Sequence, residues 1–171
     1  MAKILMIIAP ERFRDEELFV TKAELEEAGH ETVIVSSVKG LCPGSRGGFA
    51  TAILTLAEVQ TEDYDAVVFV GGGGAKHYFA NEEALRIAKE MDKDRKVVAA
   101  ICLAPVILAN AGILKGKEAT VAGTEAKTLE RQGARYTGPG VTVDGNLVTG
   151  NAPKQSKLFG QKINELLHAR Q

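Results

Sequence analysis

Four short apolar segments constrain the fold of this chain more than any other feature of its sequence. They are KILMIIA at 3–9, ETVIVSS at 31–37, AVVFVGG at 66–72 and KVVAAIC at 96–102. Their apolar residues are continuous rather than alternating, which is typical of parallel strands covered on both faces. Because helical patterns separate the segments, we predict right-handed strand–helix–strand units. The fold class is then α/β, with a three-layer, doubly wound and mostly parallel sheet.

Helix signals occupy the stretches between and after these segments. Residues 15–29 have an N-cap, an acidic first turn and a glycine stop. Asn81-Glu82-Glu83 predicts the start of a second helix. The almost wholly apolar stretch 103–111 predicts a deeply buried third helix that ends at Gly112. An amphipathic helix at about 154–169 closes the chain.

Two regions interrupt the alternation and predict added β-hairpins. Residues 40–54 combine several glycines with residues that favour strands, and 141–150 place Asp-Gly-Asn between two alternating runs. The chain has 171 residues and shows no linker, repeat or low-complexity segment. We therefore expect a single domain over 1–171.

Composition argues against several classes of function. The net charge near −1 gives no electrostatic footprint for nucleic acid or for an anionic membrane. The first apolar run ends in charges rather than in a cleavage site, and no stretch approaches a membrane span. We therefore expect a cytoplasmic protein with two reduced cysteines. The widely spaced histidines and cysteines form no metal-ligand pattern, and we expect no metal and no cofactor.

Cys102 is the first candidate for chemistry, because it ends the fourth apolar segment just before the predicted helix. Open parallel sheets bind ligands beyond the carboxyl ends of their strands. The free N–H groups of a helix N-terminus can lower a thiol pKa from about 8.5 toward 7. Pro105 suits the first helical turn. The structural alternative is a buried cysteine between Ile101 and Leu103, since free cysteines are among the most buried residues.

Gly71 to Gly74 form the second candidate, a run of four glycines after the third apolar segment. The run lacks the phosphate-loop pattern, and Lys76 occupies the third glycine position of the dinucleotide pattern. Glycines allow close backbone approach, so these N–H groups could bind a developing negative charge as an oxyanion hole. The alternative is a flexible turn.

Glu17 is the third candidate, within the acidic start of the first helix. Helical spacing puts it on the face turned to the sheet, whereas Asp15 and Glu16 lie off that face. A carboxyl group there could hydrogen-bond a reactive thiolate. The alternative is that all three acids complement the helix dipole. Glu24 shares the face with Glu17, so the spacing alone does not distinguish the two interpretations.

Four motifs together resemble the ThiJ/PfpI superfamily, which includes the Parkinson-disease deglycase and archaeal intracellular proteases. They are FRDEELFVTKAELEEAGHE at 13–31, DYDAVVFVGGGG at 63–74, VVAAICLAPVILANAGILKGK at 97–117 and VTVDGNLVTG at 141–150. Their order and spacing are more specific than any one of them. The resemblance implies a flavodoxin-like sheet related to class I glutamine amidotransferases, in homodimers or larger homo-oligomers.

The same resemblance assigns roles to individual residues. It implies that Cys102 is the nucleophile and that Glu17 is the acid contacting it. It also implies that the backbone amides of Gly72 and Leu103 bind an oxyanion. His77, in the glycine loop, remains a candidate base or a surface histidine. Cys42, in the first hairpin, is either structural or a redox-sensitive bystander.

The chain also departs from the superfamily pattern. Proteolytic and glyoxalase members commonly place histidine where this chain has Leu103, and the next position, usually glycine, is Ala104. Ala122 stands near another expected histidine, and Lys76 replaces the acid that some hexameric proteases supply across subunits. These departures weaken a peptidase interpretation, because amide hydrolysis needs a proton for the leaving amine.

Several functions remain open at this point. The first hypothesis is a glyoxalase- or deglycase-like enzyme in which Cys102 adds to reactive carbonyls or to their protein adducts. The second is an intracellular cysteine protease or amidase with a base from His77 or a partner chain. The third is a redox-sensing or chaperone-like protein without catalysis. A flavodoxin-type or receiver-like binding module fits poorly, because the first loop lacks hydroxyl-rich phosphate ligands.

Overall fold

The computed structural model describes residues 1–170, which contain eleven strands and five α-helices. The strands are β1 (Lys3–Ile7), β2 (Glu31–Ser36), β3 (Gly40–Pro43), β4 (Phe49–Ala52), β5 (Leu54–Thr55), β6 (Ala66–Phe69), β7 (Val97–Ile101), β8 (Glu118–Ala119), β9 (Arg135–Tyr136), β10 (Val141–Asp144) and β11 (Leu147–Gly150). The helices are α1 (Asp15–Glu27), α2 (Glu82–Lys93), α3 (Pro105–Asn110), α4 (Ala126–Arg131) and α5 (Ser156–Ala169).

The main sheet has seven strands in the order β10-β11-β7-β6-β1-β2-β5. Every neighbouring pair in it is parallel except β10 and β11. The five strands β2-β1-β6-β7-β11, numbered along the chain, follow the flavodoxin-like order 2-1-3-4-5. The predicted fold class is therefore confirmed. Since the parallel strands all end at one edge, the loops after β1, β6 and β7 meet there.

Helices cover both faces of the sheet and enclose two apolar cores. Leu18 and Leu25 of α1 pack with Phe159 and Ile163 of α5 over one face. Residues of α2, α3 and α4 form the core on the other face. Because the strands are buried on both sides, their apolar residues are continuous rather than alternating. Within residues 1–170, no helix is long and apolar enough to cross a membrane.

The predicted elements are confirmed, with shorter ends. The third helix begins at Pro105 rather than at 103, because the chain first turns sharply out of β7. The last helix begins at Ser156, after a 3-10 turn. The short helix α4 and the two-residue strands β5, β8 and β9 were not predicted. Such brief elements carry too few residues to show a period.

The two predicted hairpins are present, and they differ in how their strands join the main sheet. β3 and β4 form a separate antiparallel sheet, whereas β11 joins the main sheet beside β7. Asp15 does not cap α1, because Arg14 occupies the N-cap position. The Asp15 carboxylate instead accepts hydrogen bonds from the Arg46 and Gly48 amides of the first hairpin, at 3.0 and 2.7 Å. The start of α1 is thus fixed to the hairpin.

The glycine loop packs tightly against the loop that follows β1. The Gly74 amide donates to the Arg12 carbonyl at 3.0 Å, and the Arg14 amide donates to the Gly71 carbonyl at 3.0 Å. A Cβ atom at Gly74 would lie 2.0 Å from the Glu11 carbonyl oxygen. Close backbone approach, rather than flexibility, therefore explains this glycine.

Substituting two adjacent glycines of this loop tests the packing. Gly74→Ala should lower the free energy of unfolding by about 1–3 kcal/mol, because backbone atoms must move to admit the methyl group. Gly73→Ala is the matched control, since only the Arg12 guanidinium comes within 4.0 Å of a Cβ there. Urea unfolding followed by circular dichroism measures both variants. Equal stabilities of the two variants would show that the backbone around Gly74 leaves room for a methyl group.

Candidate active site

Cys102 lies on a sharp turn between β7 and α3. Its φ of +63° is rare for a residue other than glycine and is costly unless the surroundings impose it. Two hydrogen bonds fix its backbone, since its amide donates to the Gly150 carbonyl at 2.9 Å and its carbonyl accepts from the Ala122 amide at 2.7 Å. The side chain is partly exposed. The strand-to-helix elbow predicted from the sequence is therefore present.

Glu17 is fully buried on the face of α1 that turns to the sheet, beside the fully buried Thr21 and Leu25. Asp15 and Glu16 lie off this face and are partly exposed. The spacing argument is confirmed for Glu17, although Ala28, at the end of the same predicted stripe, is exposed. Glu17 is therefore more than a complement to the helix dipole.

The Glu17 carboxyl group faces the Cys102 thiol and has few other polar groups near it. Neither of its oxygens makes a well-formed hydrogen bond within the described residues. The polar groups that affect its pKa at short range are the Cys102 thiol and the Gly71 amide. A buried carboxyl group with so few partners strongly favours its neutral form.

Gly71 brings these two side chains together. A Cβ atom at this position would lie 2.5 Å from Glu17 Oε1 and 2.8 Å from Cys102 Cβ. It would also lie 2.4 Å from the Ile101 carbonyl oxygen. The missing side chain of Gly71 therefore lets the first turn of α1 approach the ends of β6 and β7.

The amides of Gly72 and Leu103 lie near the Cys102 sulfur, although neither makes a well-formed hydrogen bond to it. Both lower the pKa of the thiol, as hydrogen-bond donors do when they stabilise an anion. The φ of +100° at Gly72 orients its peptide, and a Cβ atom there would collide with the Arg14 amide nitrogen at 2.5 Å. The two amides that the resemblance assigned to oxyanion binding thus lie at the thiol.

Burial sets the protonation of the pair. It raises the pKa of Glu17 to about 8, and the Cys102 thiol and Gly71 amide lower it by smaller amounts. Burial first, and then the Glu17 charge, raises the pKa of Cys102 to about 12. Since a charged Glu17 opposes ionisation of the thiol, Cys102 ionises more readily while Glu17 holds its proton.

A helix N-terminus can lower a thiol pKa, but burial and the Glu17 charge raise the pKa of Cys102. The helix after Cys102 has only six residues, Pro105–Asn110, so few peptide dipoles align on the sulfur. The Gly72 and Leu103 amides act in the predicted direction. Desolvation of the thiol and the neighbouring carboxyl group outweigh them.

Arg14 is a site residue that sequence reasoning missed. Its guanidinium binds Glu16 through Nε–Oε1 and Nη2–Oε2 contacts of 3.0 and 2.9 Å. The pKa of Arg14 is raised, chiefly by the hydrogen bond to Glu16 and to a lesser extent by the Glu17 and Cys102 charges. Its place in FRDEE, three residues before Glu17, was the available signal.

His77 and Cys42 lie apart from the thiol. His77 is exposed, stacks edge-on against Tyr78 and lines a cavity with Arg12 and Lys76. Among the described residues, no histidine affects the pKa of Cys102. Cys42 is fully buried in an apolar core, which favours its structural interpretation. Within residues 1–170, no group of His, Cys, Asp and Glu side chains could hold a metal ion.

The raised pKa of Glu17 predicts a pH-dependent stability. The folded protein keeps this proton up to about pH 8, whereas an exposed glutamate releases it near 4.5. The stabilisation is therefore complete below pH 4.5 and is lost as the pH rises to about 8. Glu17→Gln should remove on the order of 3 kcal/mol of the stability difference between pH 5 and pH 8. Urea unfolding across this range measures the effect.

The control for this experiment is Glu24→Gln, on the same helix and only partly buried. It should retain the pH dependence of the unmodified protein. A Glu17→Gln variant with an unchanged pH dependence would show that Glu17 is already ionised at neutral pH.

Comparisons with known proteins agree with this fold. The DJ-1/PfpI family model matches residues 2–166. A protein of Methanocaldococcus jannaschii is 47% identical over 165 residues, which cover 95% of this chain and 80% of that protein. A protein of Pyrococcus furiosus named Deglycase PfpI is 38% identical over 165 residues, with 96% and 99% coverage. The crystal structure of a ThiJ/PfpI domain protein from Brachyspira murdochii has a TM-score of 0.95 and 34% identity, over 98% of this chain and 96% of that chain. The resemblance predicted from four sequence motifs is confirmed, and the chain belongs to the DJ-1/PfpI family.

Proposed function

We propose that this protein is a cysteine-dependent enzyme that acts on reactive carbonyl compounds such as methylglyoxal, or on their adducts with proteins. The observation that carries the proposal is the Cys102 thiol, which lies between the buried Glu17 carboxyl group and the amides of Gly72 and Leu103. The relative from Pyrococcus furiosus that is named a deglycase supports the same class of activity.

The proposed chemistry begins with addition of sulfur to a carbonyl carbon. A sulfur electron pair forms the C–S bond, the π electrons of the C=O group move onto oxygen, and the thiol proton passes to solvent. The Gly72 and Leu103 amides would stabilise this oxyanion. Glu17, which burial keeps protonated near neutral pH, would donate the proton that completes a neutral hemithioacetal and would regain one from solvent. One carboxyl group thus suffices for the addition.

Peptide hydrolysis fits the site less well. An amide carbonyl group is a weak electrophile, so a base must ionise the thiol, and cysteine proteases use a histidine at the thiol for this. The superfamily resemblance implies such a histidine at Leu103 or near Ala122 of this chain, and Ala122 uses its amide to fix the elbow. His77 lies in a separate exposed cavity. A protease would therefore depend on a base from a partner chain.

The surroundings proposed for this activity are the cytoplasm and a homodimer or larger homo-oligomer. A reducing compartment would keep Cys102 available as a thiol. Large apolar side chains are exposed on α1 and on the first hairpin, among them Phe19, Leu41 and Phe49. A second copy of the chain could cover them.

Replacing each cysteine in turn tests the proposed nucleophile. Cys102→Ser should reduce turnover of methylglyoxal, or release of amine from a methylglyoxal adduct of N-acetyl-lysine, by at least about a hundredfold. Chromatographic quantification of substrate and amine measures both reactions. Cys42→Ser, in which the buried cysteine is changed, is the matched control and should retain activity.

Two outcomes would overturn the proposal. Unchanged turnover in Cys102→Ser would exclude the thiol as nucleophile. Loss of peptidase activity in both Cys102→Ser and His77→Ala, with carbonyl turnover absent from the unmodified protein, would favour the protease instead. His77→Ala should leave carbonyl turnover unchanged.

A redox-sensing role is the second candidate, favoured by the different exposure of the two cysteines. Cys102 is partly exposed beside two N–H donors, whereas Cys42 is fully buried. Mild hydrogen peroxide should therefore convert Cys102 to a sulfinic acid, since two peroxides each transfer one oxygen and leave one water. Intact-mass and peptide mass spectrometry should find two added oxygens on Cys102 and few on Cys42. Equal oxidation of both cysteines would contradict this role.

A further inference from the structure

A cavity of about 520 Å³ lies between the first turn of α1 and the turn that leads into α5. Its charged lining residues are Arg14, Glu16, Lys154 and Lys157. None of the roles described above uses the two lysines. Cys102 does not line the cavity, so its relation to the active site depends on the elements that form its walls.

The charge of this cavity is unbalanced. Three cationic side chains face one carboxylate, and that carboxylate, Glu16, is already paired with Arg14 at 2.9 Å. Lys154 and Lys157 are exposed and form no ion pair within residues 1–170. Arg14 also keeps Nη1 free of hydrogen bonds within the same residues. The cavity therefore favours an anion.

The cavity has two walls, the first turn of α1 and the segment that leads into α5, and each wall is connected by backbone hydrogen bonds to the residues around the thiol. On one side, the Arg14 amide donates to Gly71, the glycine packed against Cys102. On the other side, the Cys102 amide donates to Gly150, and the chain reaches Lys154 four residues later. The Thr21 hydroxyl donates to the Ser156 carbonyl at 3.4 Å and joins the two walls. The cavity thus adjoins the same edge of the sheet as the thiol.

We propose that Arg14, Lys154 and Lys157 form an anion subsite, so that the preferred substrates are reactive carbonyl compounds or adducts that carry a carboxylate or phosphate group. The inference rests on the proposed function, because it names the class of substrate that Cys102 would take. Of the three residues, Arg14 has the most direct connection to the thiol, because its amide donates to Gly71, which packs against Cys102. Arg14 would therefore bind the anionic group of a short substrate. The lysines would bind that of a longer one.

Alkylation of Cys102 tests the subsite without requiring any enzymatic activity. Iodoacetate and iodoacetamide react with thiols by the same displacement, in which the C–S bond forms and iodide leaves, but only iodoacetate carries a negative charge. The maleimide pair 3-maleimidopropionate and N-ethylmaleimide makes the same comparison with the charge farther from sulfur. In each pair the neutral reagent corrects for changes in thiol ionisation.

The double variant Lys154→Gln/Lys157→Gln should lower the ratio of the 3-maleimidopropionate rate to the N-ethylmaleimide rate about three- to tenfold. Arg14→Gln should lower the iodoacetate to iodoacetamide ratio by a similar factor. Lys162→Gln is the matched control, since Lys162 lies on α5 outside the cavity and pairs with Glu165 at 3.3 Å. Its ratios should equal those of the unmodified protein.

The competing anion identifies the chemistry of the ligand. At constant ionic strength, acetate or inorganic phosphate should slow 3-maleimidopropionate more than N-ethylmaleimide, and the stronger competitor shows which group the subsite prefers. Ratios that are unchanged in the cavity variants, or that fall equally in Lys162→Gln, would overturn the subsite. A fall in the ratios together with full activity of Cys102→Ser would instead retain the subsite and reject the proposed function.

Discussion

No side chain fits at Gly71, and the geometry of the candidate active site depends on that fact. A methyl group there would overlap the Ile101 carbonyl, the Glu17 carboxyl group and Cys102 Cβ, all within 2.8 Å. Glu17 belongs to α1, whereas Ile101 and Cys102 lie at the end of β7 and in the elbow that follows it. Their approach is possible because the parallel strands end at one edge of the sheet and because Gly71, just after β6, has no Cβ atom.

The fold holds Cys102 in a costly conformation and supports it with ordinary interactions. A positive φ at a residue other than glycine costs on the order of 1–3 kcal/mol. Hydrogen bonds to Gly150 and Ala122 fix the peptide groups on either side, and the residues of β7 before the elbow are fully buried. The inserted strand β11 therefore has a direct role at the site, because it supplies the Gly150 carbonyl.

The sequence predicted the sheet, the main helices and the two hairpins because each leaves a pattern of apolar residues and turns. It predicted the burial of Glu17 because helical spacing separates Glu17 from Asp15 and Glu16. It did not predict that Asp15 fixes the hairpin, since that contact joins residues more than 30 positions apart. The sequence did not predict the direction in which the thiol pKa shifts, for a related reason. Desolvation depends on the packing around the sulfur, which no local pattern records.

Leu103 and the burial of Glu17 together limit what the thiol can do. No histidine lies at the sulfur among the described residues. Glu17 is the one titratable side chain among them that shifts the pKa of Cys102, and it is therefore the group that can exchange a proton with the thiol. A buried acid that stays protonated to about pH 8 can neutralise an alkoxide, but it is a poor base for activating a thiol while it is neutral. Addition to an electron-poor carbonyl group needs little activation of the nucleophile and a proton for the product. Amide hydrolysis needs a base that ionises the thiol, because an amide carbonyl group is a weaker electrophile. The electrostatics of this pair therefore favour carbonyl addition over peptide cleavage.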